Sequence, residues 1–228
     1  MAKTTELASD GLVKHNLAER LREEIMRGSL KPGTRIVEGK WATKFGVAQG
    51  SIREAINILA QAGFVSKESG YSARVIDLSE DDVARIYQLR GAIEGLAARL
   101  AVATKPDLKV LQATLDVMRE SASAGNCDGL LDCDSLFHLE LCELSCNPIL
   151  IEHARRILLP FFAFVRMRVA ASGQGTSAWD KDLDAHQRII DLLQEGEGEV
   201  AEHYVKKAME RFARTAHNNW EKRVAHEG

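Results

Sequence analysis

The residues of this chain best suited to chemistry are a carboxylate and an imidazole one helical turn apart. Asp134 and His138 lie in the stretch DSLFHLELC, with Cys142 on the same helical face. Nearly every uncharged position of this stretch is apolar, which predicts a helix buried over most of its surface. A buried acid and imidazole need partners. They can form a hydrogen bond to each other in the core, or they can bind a divalent metal ion. Considered without further residues, Asp134 and His138 favour the hydrogen-bonded pair.

A second set of polar residues has the spacing to contact nucleic acid. Gln49, Arg53 and Asn57 recur at i, i+4 and i+8. The apolar positions between them follow the helical period and predict the opposite, buried face: Ile52, Ala55, Ile56 and Leu59. Gly46 can end the preceding helix in the left-handed conformation, and the result is a helix-turn-helix. Its outer amides and guanidinium suit base edges and phosphates, although a solvated outer face has the same pattern.

The elements around these residues divide the chain near residue 76. Helices are predicted over about 15–27, 38–45 and 49–62, followed by a two-stranded hairpin in GFVSKESGYSARVI with its tip at residues 69–71. Ser79 then caps a long helix with Asp82 in its first turn, and Ile86, Leu89, Ile93, Leu96 and Leu100 mark its apolar stripe. Five further helices are predicted, at about 106–123, 127–145, 148–171, 178–194 and 198–224, with a kink at Pro160.

Composition places the chain among globular proteins and gives its two parts opposite charge. It has 228 residues, of which 45% are hydrophobic and 28% charged. Residues 1–76 hold 12 Lys and Arg against 8 Asp and Glu, whereas the remainder holds 18 against 25, so only the first part suits a polyanion. The chain shows neither a secretory pattern nor a membrane-spanning run. We therefore expect a cytoplasmic protein with its four cysteines reduced in the core.

The stretch LKPGTRIVEGKWATKFGVAQGSIREAINILAQAGFV resembles the winged helix-turn-helix of GntR-type bacterial transcriptional regulators. It matches their pattern at Pro32, Gly33, Glu38, Ala42, Gly46, Val47, Arg53, Glu54, Ala55, Leu59, Gly63 and Val65. Two departures fall where DNA is read: Gln49 replaces a common arginine, and Gly39 a common basic residue. Glutamine pairs best with adenine, so the resemblance implies a changed operator. The predicted DNA contacts are Lys40, Gln49, Ser51, Arg53 and Asn57, with Gly70 and Tyr71 in the wing.

The rest of the chain, from about residue 80 to 215, resembles the ligand-binding FCD domain of the FadR subfamily. The matching stretches are IYQLRGAIEGLAARLA, CDSLFHLELCELSCNPIL and AHQRIIDLLQEGEGEVAEHYVKKAMERF. The resemblance implies a zinc or nickel-like divalent ion held by Asp134, His138 and His186. A further family histidine falls at Ala208, which leaves three ligands. Arg90 stands where the family often binds the carboxylate of an organic acid, although a surface pair with Glu94 explains it equally well.

Together these patterns predict a mainly α protein: a winged helix-turn-helix over residues 1–76 and an all-α, six-helix effector-binding and dimerisation domain over 77–228. The expected function is a homodimeric regulator that binds double-stranded operator DNA and responds to a small effector, expected to be a carboxylate. Two alternatives stay open: a divalent-metal-dependent hydrolytic enzyme, and a regulator-derived protein that has lost specific DNA binding.

Overall fold

A computed structural model describes residues 15–68, 72–172 and 180–224. The described residues form two compact units. The first contains the chain up to Asp77 together with a segment that begins at Ala163, and the second contains the rest. A single division of the chain near residue 76 did not anticipate that later segment. Among the described residues, no helix is both long and apolar enough to cross a membrane.

The first unit is the predicted winged helix-turn-helix. Helix α1 covers residues 15–26, and α2 (Glu38–Phe45) and α3 (Gln49–Gln61) follow. Gly46 ends α2 with a φ of 68°, in the left-handed region that glycine adopts without steric cost. The predicted stripe of α3 is buried: Ile52, Ala55, Ile56 and Leu59. This burial turns the polar side of α3 outward, as the sequence predicted.

The wing has one more strand than the sequence predicted. Strands β2 (Val65–Glu68) and β3 (Ser72–Val75) form the predicted hairpin, and β1 (Arg35–Ile36) pairs with the other edge of β3. The three strands are antiparallel in the order β1-β3-β2, with Ile36 opposite Ala73. From the sequence, the segment before α2 was expected only to separate two helices. Strand β1 was not predicted because two residues are too few to show strand alternation.

The second unit contains the six predicted helices except for the last part of α7. They are α4 (Glu80–Thr104), α5 (Lys109–Ser123), α6 (Cys127–Glu143), α7 (Pro148–Ser172), α8 (Asp180–Glu195) and α9 (Gly198–Val224). Helix α7 continues through Pro160, and its residues from Ala163 group with the first unit. The cysteines are free, but only Cys142 is buried, and Cys146 is exposed. The prediction of four core cysteines was therefore wrong.

Helix α4 buries a different face from the one predicted. Leu89 is 45% exposed, and the other stripe residues, Ile86, Ile93, Leu96 and Leu100, are only partly buried. The buried face instead carries glycines, alanines and the charged residues Arg90 and Glu94. Helices α4 and α9 approach closely there, since a Cβ added at Gly95 would lie 3.1 Å from the carbonyl oxygen of Glu202. Small residues therefore occupy the face that apolar periodicity assigned to solvent.

The start of α4 is fixed by a reciprocal cap. The Ser79 hydroxyl accepts a hydrogen bond from the backbone N–H of Asp82, and the Asp82 carboxylate accepts one from the backbone N–H of Ser79. Each bond satisfies an amide that the first helical turn leaves without a partner. The predicted N-cap is confirmed.

We expect Ser79→Ala to lower the free energy of unfolding by about 0.5–2 kcal/mol, the usual effect of losing an N-cap side chain. Chemical denaturation of the full chain measures this. The control is Ser123→Ala in the last turn of α5, where the serine is exposed. Since alanine favours helix, the control should be neutral or slightly stabilising. Equal losses in the two variants would show that the cap does not stabilise α4.

Candidate metal and effector site with a DNA-reading helix

Three side chains from two helices converge in the core of the second unit. Helix α6 supplies Asp134 and His138 one turn apart, and α8 supplies His186. The Nε2 of His186 lies 3.2 Å from Asp134 Oδ1 and 3.4 Å from His138 Nε2. The Nε2 of His138 lies 3.5 Å from the same carboxylate oxygen. All three residues are buried, so the predicted ligand set is brought together.

The other ring nitrogen of each histidine is already bonded. His138 Nδ1 lies 2.5 Å from Glu94 Oε2, and His186 Nδ1 lies 2.5 Å from the carbonyl oxygen of Asp182. A carboxylate or carbonyl oxygen can only accept, so both Nδ1 atoms carry the hydrogen. In the neutral rings, both Nε2 atoms then present lone pairs toward Asp134. Outer contacts of this kind orient histidines that bind metal.

The spacing of the three atoms suits one bound cation. In a tetrahedral shell with bonds of about 2.0–2.1 Å, neighbouring ligand atoms are about 3.3–3.4 Å apart. The separations here are 3.2, 3.4 and 3.5 Å. Three lone-pair atoms this close repel one another unless a proton or a cation lies between them. The donor set of Asp134, His138 and His186 therefore fits a divalent metal ion.

Aromatic rings enclose the histidines. The Phe137 ring meets His186 edge to face at 4.6 Å between centroids, and the Phe162 ring of α7 stacks on His138 at 5.6 Å. Both phenylalanines are buried, with exposed fractions of 0% and 5%. These contacts limit rotation of the imidazoles and keep the surroundings apolar, which strengthens electrostatic interactions within the cluster.

Arg90 is a buried residue of this site, and its interpretation as part of a surface pair was wrong. Arg90 is 3% exposed and Glu94 0%. Arg90 Nε donates to Glu94 Oε1 at 2.6 Å, while Glu94 Oε2 accepts from His138. Glu94 thus joins the guanidinium to the histidine pair. Arg90 Nη2 is buried without a hydrogen-bond partner among the described residues, and the guanidinium lies 4.8 Å from the ring centre of Phe162.

The charges of the site depend on one another. Burial raises the pKa of Glu94, but Arg90 and His138 outweigh it and hold that pKa at about 2. Burial likewise opposes ionisation of Asp134, but the Nε2 atoms of His138 and His186 bond to it when they carry hydrogen, and these bonds lower its pKa below the usual range. Burial together with Asp134 raises the pKa of Asp182 to about 6. The cluster therefore contains two ionised carboxylates. Arg90 compensates one of these charges, and the other is left for a bound cation or for a proton on His138, where burial lowers the pKa but Glu94 outweighs this effect and raises it.

Helix α9 supplies no ligand at the predicted position. Ala208 is buried at 5% exposure, and its methyl group has no donor atom. One turn later on the same face, the Phe212 ring stacks on Tyr87 at 6.2 Å. Tyr87 in turn lies 5.4 Å from the Arg90 guanidinium. Phe212, on the same face of α9 as Ala208, thus contacts Tyr87, one of the aromatic residues around Arg90.

The residues predicted to contact DNA lie on the outer side of the first unit. Lys40, Gln49 and Arg53 are exposed, and Ser51 and Asn57 partly so. Arg53 donates to both carboxylate oxygens of Glu38 at 2.8–3.2 Å, which joins α3 to the first turn of α2. Asn57 accepts a hydrogen bond from Lys67 of β2. Gly70 and Tyr71, predicted at the wing tip, lie outside the described residues.

Glu94 and Glu38 were not predicted from the sequence as parts of these sites. The i, i+4 spacing of Arg90 and Glu94 was visible, but the same spacing is common on helix surfaces. The contact of Glu94 with His138 joins positions 44 residues apart. Glu38 and Arg53 are 15 residues apart. Spacing along one helix carries no signal for such contacts.

Comparison with known proteins covers both units. The FCD domain family matches residues 85–211, and the gntR family of bacterial regulatory proteins matches residues 13–75. The gluconate operon transcriptional repressor of Bacillus licheniformis is 30% identical over 178 residues, covering 76% of this chain and 72% of that protein. The "Probable D-xylose utilization operon transcriptional repressor" of Paenarthrobacter nicotinovorans is 26% identical over 220 residues, covering 94% and 95%.

The fold is shared with a solved regulator. The structure of E. coli McbR/YncC matches with a TM-score of 0.77 over 91% of this chain and 98% of that chain, at 19% identity. The winged helix-turn-helix and the helical unit are thus found together in one known protein. With the FCD match extending over more than half of the chain, the conclusion is direct: this protein belongs to the gntR family of bacterial transcriptional regulators and carries an FCD effector-binding domain, so it is a DNA-binding regulator and not an enzyme.

Proposed function

We propose that this regulator binds its operator as a homodimer and that a divalent metal ion and a small carboxylate together modulate this binding from the second unit. The convergence of Asp134, His138 and His186 to within 3.2–3.5 Å supports the proposal most strongly. The buried Arg90 guanidinium, joined to the same cluster through Glu94, supports the carboxylate part of the proposal, because its Nη2 has no hydrogen-bond partner among the described residues.

The metal would be held by one carboxylate oxygen and two imidazole nitrogens. Three protein ligands leave at least one coordination position for water or an effector oxygen. When bound, the ion supplies positive charge that attracts an anionic effector. The chain itself provides the orientation, since Glu94 and the Asp182 carbonyl fix the two rings. With three ligands, we expect partial metal content on purification.

We expect His138→Ala and His186→Ala to weaken zinc and nickel binding strongly. Loss of a residue that only contacts a ligand typically weakens metal binding by about 10–100-fold, and loss of a ligand itself should exceed this. Calorimetry on metal-free protein measures this. The matched control is His153→Ala, an exposed α7 histidine whose Nδ1 also bonds a backbone carbonyl. Equal zinc affinity in His138→Ala and the wild type would return Asp134 and His138 to a structural role in the core.

We expect Ala208→His to tighten zinc binding, because it offers a fourth ligand in the place where the family resemblance puts one. If Ala208→His brings no gain and Phe212→His does, the missing donor position lies one turn further along α9. If neither variant tightens binding, α9 does not approach the ion.

The proposed effector is a small carboxylate because Arg90 offers a planar fork in an apolar setting. Guanidinium groups bind carboxylates with two parallel hydrogen bonds. Glu94 occupies Nε of Arg90, while Nη2 has no partner among the described residues. A buried donor left without an acceptor costs free energy that a ligand oxygen would recover. One relative is named for the gluconate operon, and gluconate is a carboxylate.

We expect Arg90→Lys to weaken binding of acetate, citrate or gluconate to the zinc-loaded protein by roughly tenfold, because lysine loses the planar fork. Zinc affinity itself should stay within a few-fold of the wild type. Calorimetry with each acid measures this, and Arg99→Lys, on the same helix but 48% exposed, is the control. If Arg90→Lys and the wild type bind all three acids equally, Arg90 does not bind the effector.

The proposed homodimer is supported by the outer face of α4. Its apolar stripe from Ile86 to Leu100 repeats every three or four residues and is only partly buried, with Leu89 45% exposed. A helix with apolar residues on both faces is usually covered on both. A single winged unit also offers few contacts for specific DNA binding, and two-fold symmetry doubles them. We therefore assign the dimer contacts to the second unit.

We expect Gln49→Arg to shift base preference toward guanine at one position of each half-site, and Arg53→Ala to weaken binding to all sequences. Arginine reads guanine and glutamine reads adenine, whereas we assign Arg53 to the phosphate backbone, whose contacts carry no sequence information. Selection from random duplexes measures both effects, and a dimer should return a palindromic site. Arg85→Ala, an exposed change in the second unit, is the control. The same selected sequence for Gln49→Arg and the wild type would contradict the role of Gln49.

A further inference from the structure

Gly39 is the second residue of α2, a position where the backbone does not require glycine. Its φ lies outside the left-handed region, unlike that of Gly46 at the end of the same helix. Every L-residue can adopt such a helical conformation, and glycine is among the weakest helix formers. The backbone therefore does not explain glycine at this position, and the relevant question is what a side chain at position 39 would contact.

The space beside Gly39 is occupied by the predicted base-reading side chain. A Cβ added at Gly39 would lie 3.1 Å from Nε2 of Gln49, and apart from its chain neighbours and the nearby backbone of its own helix, no other heavy atom of the described chain would come within 4 Å of it. Gln49 is the first residue of α3 and is exposed. Its amide therefore lies against the first turn of α2, so close that a Cβ at residue 39 would crowd it.

We propose that Gly39 is a positioning residue for DNA sequence reading: by lacking a Cβ, it lets the Gln49 amide lie against α2 in the orientation that reads its base pair. This inference rests on the proposed role of Gln49. A residue with a Cβ at position 39 displaces the amide by a few tenths of an ångström or turns it to another rotamer. A glutamine that contacts adenine with both its N–H and its oxygen tolerates such a displacement poorly, because one of the two bonds is lost.

The test compares base preference in full-length Gly39→Ala, Gln49→Ala, the double variant and the wild type. The probe is the duplex selected from random DNA by the wild type, in four versions that differ only at the base pair whose preference Gln49→Ala changes. Gly50→Ala is the matched control, because it also replaces a helical glycine and, outside its chain neighbours and the nearby backbone of α3, its Cβ would meet no atom of the described residues within 4 Å. The thermal midpoints of both glycine variants should equal or exceed that of the wild type, since alanine favours helix.

We expect the wild type to prefer its base by about fivefold or more, the lower end for a bidentate contact. Gly39→Ala should reduce this ratio to less than about twofold, whereas Gly50→Ala should retain it. In protein that already carries Gln49→Ala, Gly39→Ala should cause no further change in the ratio. If Gly39→Ala leaves the ratio unchanged, the inference about Gly39 is wrong, while the role of Gln49 stands. The same holds if Gly39→Ala changes the ratio equally in the presence and absence of Gln49. A ratio that Gln49→Ala leaves unchanged at every position overturns the base-reading role of Gln49 and this inference with it.

Discussion

The second unit depends on the compensation of charge that is removed from water. Arg90, Glu94, Asp134 and two histidines are all buried between α4, α6 and α8. An isolated buried charge costs several kcal/mol, so each must have a partner. Glu94 bonds to both Arg90 and His138, and Asp134 lies between the two Nε2 atoms. Removal of one member leaves the next uncompensated.

Two features of this cluster point to ligands of opposite charge. Asp134, His138 and His186 each bring one lone-pair atom to the same place. Arg90 Nη2 is buried without an acceptor among the described residues. A cation and a carboxylate would satisfy both groups together. The protein also maintains close α4–α9 packing through Gly95, which holds Arg90 and Glu94 inside the core. The residues that compensate buried charge are therefore the same ones to which we assign ligand binding.

The first unit positions its reading helix through contacts at the surface. Arg53 braces α3 against α2 through Glu38, while Gln49 lies in the space that Gly39 leaves. These contacts add to the buried stripe of α3, which orients the helix, and under the proposed role of Gln49 a change in α2 would alter base preference without touching DNA.

Much of this structure could be predicted from the sequence because it is local. The helix-turn-helix followed from the buried stripe of α3 and from Gly46, and the six later helices from their period and from the Ser79 cap. The burial of α4 could not be predicted this way, since its inner face is made of Gly, Ala, Arg90 and Glu94 and its apolar stripe faces outward. Asp134 and His138 were visible as a pair on one helix turn. Their contacts with Glu94 and His186 depend on how distant helices pack.

X-ray absorption at the zinc edge of the zinc-loaded protein tests the metal centre most directly. We predict a first shell of nitrogen and oxygen only, at about 2.0–2.2 Å, with the outer scattering of two imidazoles. In zinc-loaded His138→Ala, the outer scattering should fall from two imidazoles to the single imidazole of His186. A shell without imidazole scattering, or one containing sulfur from Cys142, would contradict the assignment of Asp134, His138 and His186 as the ligands.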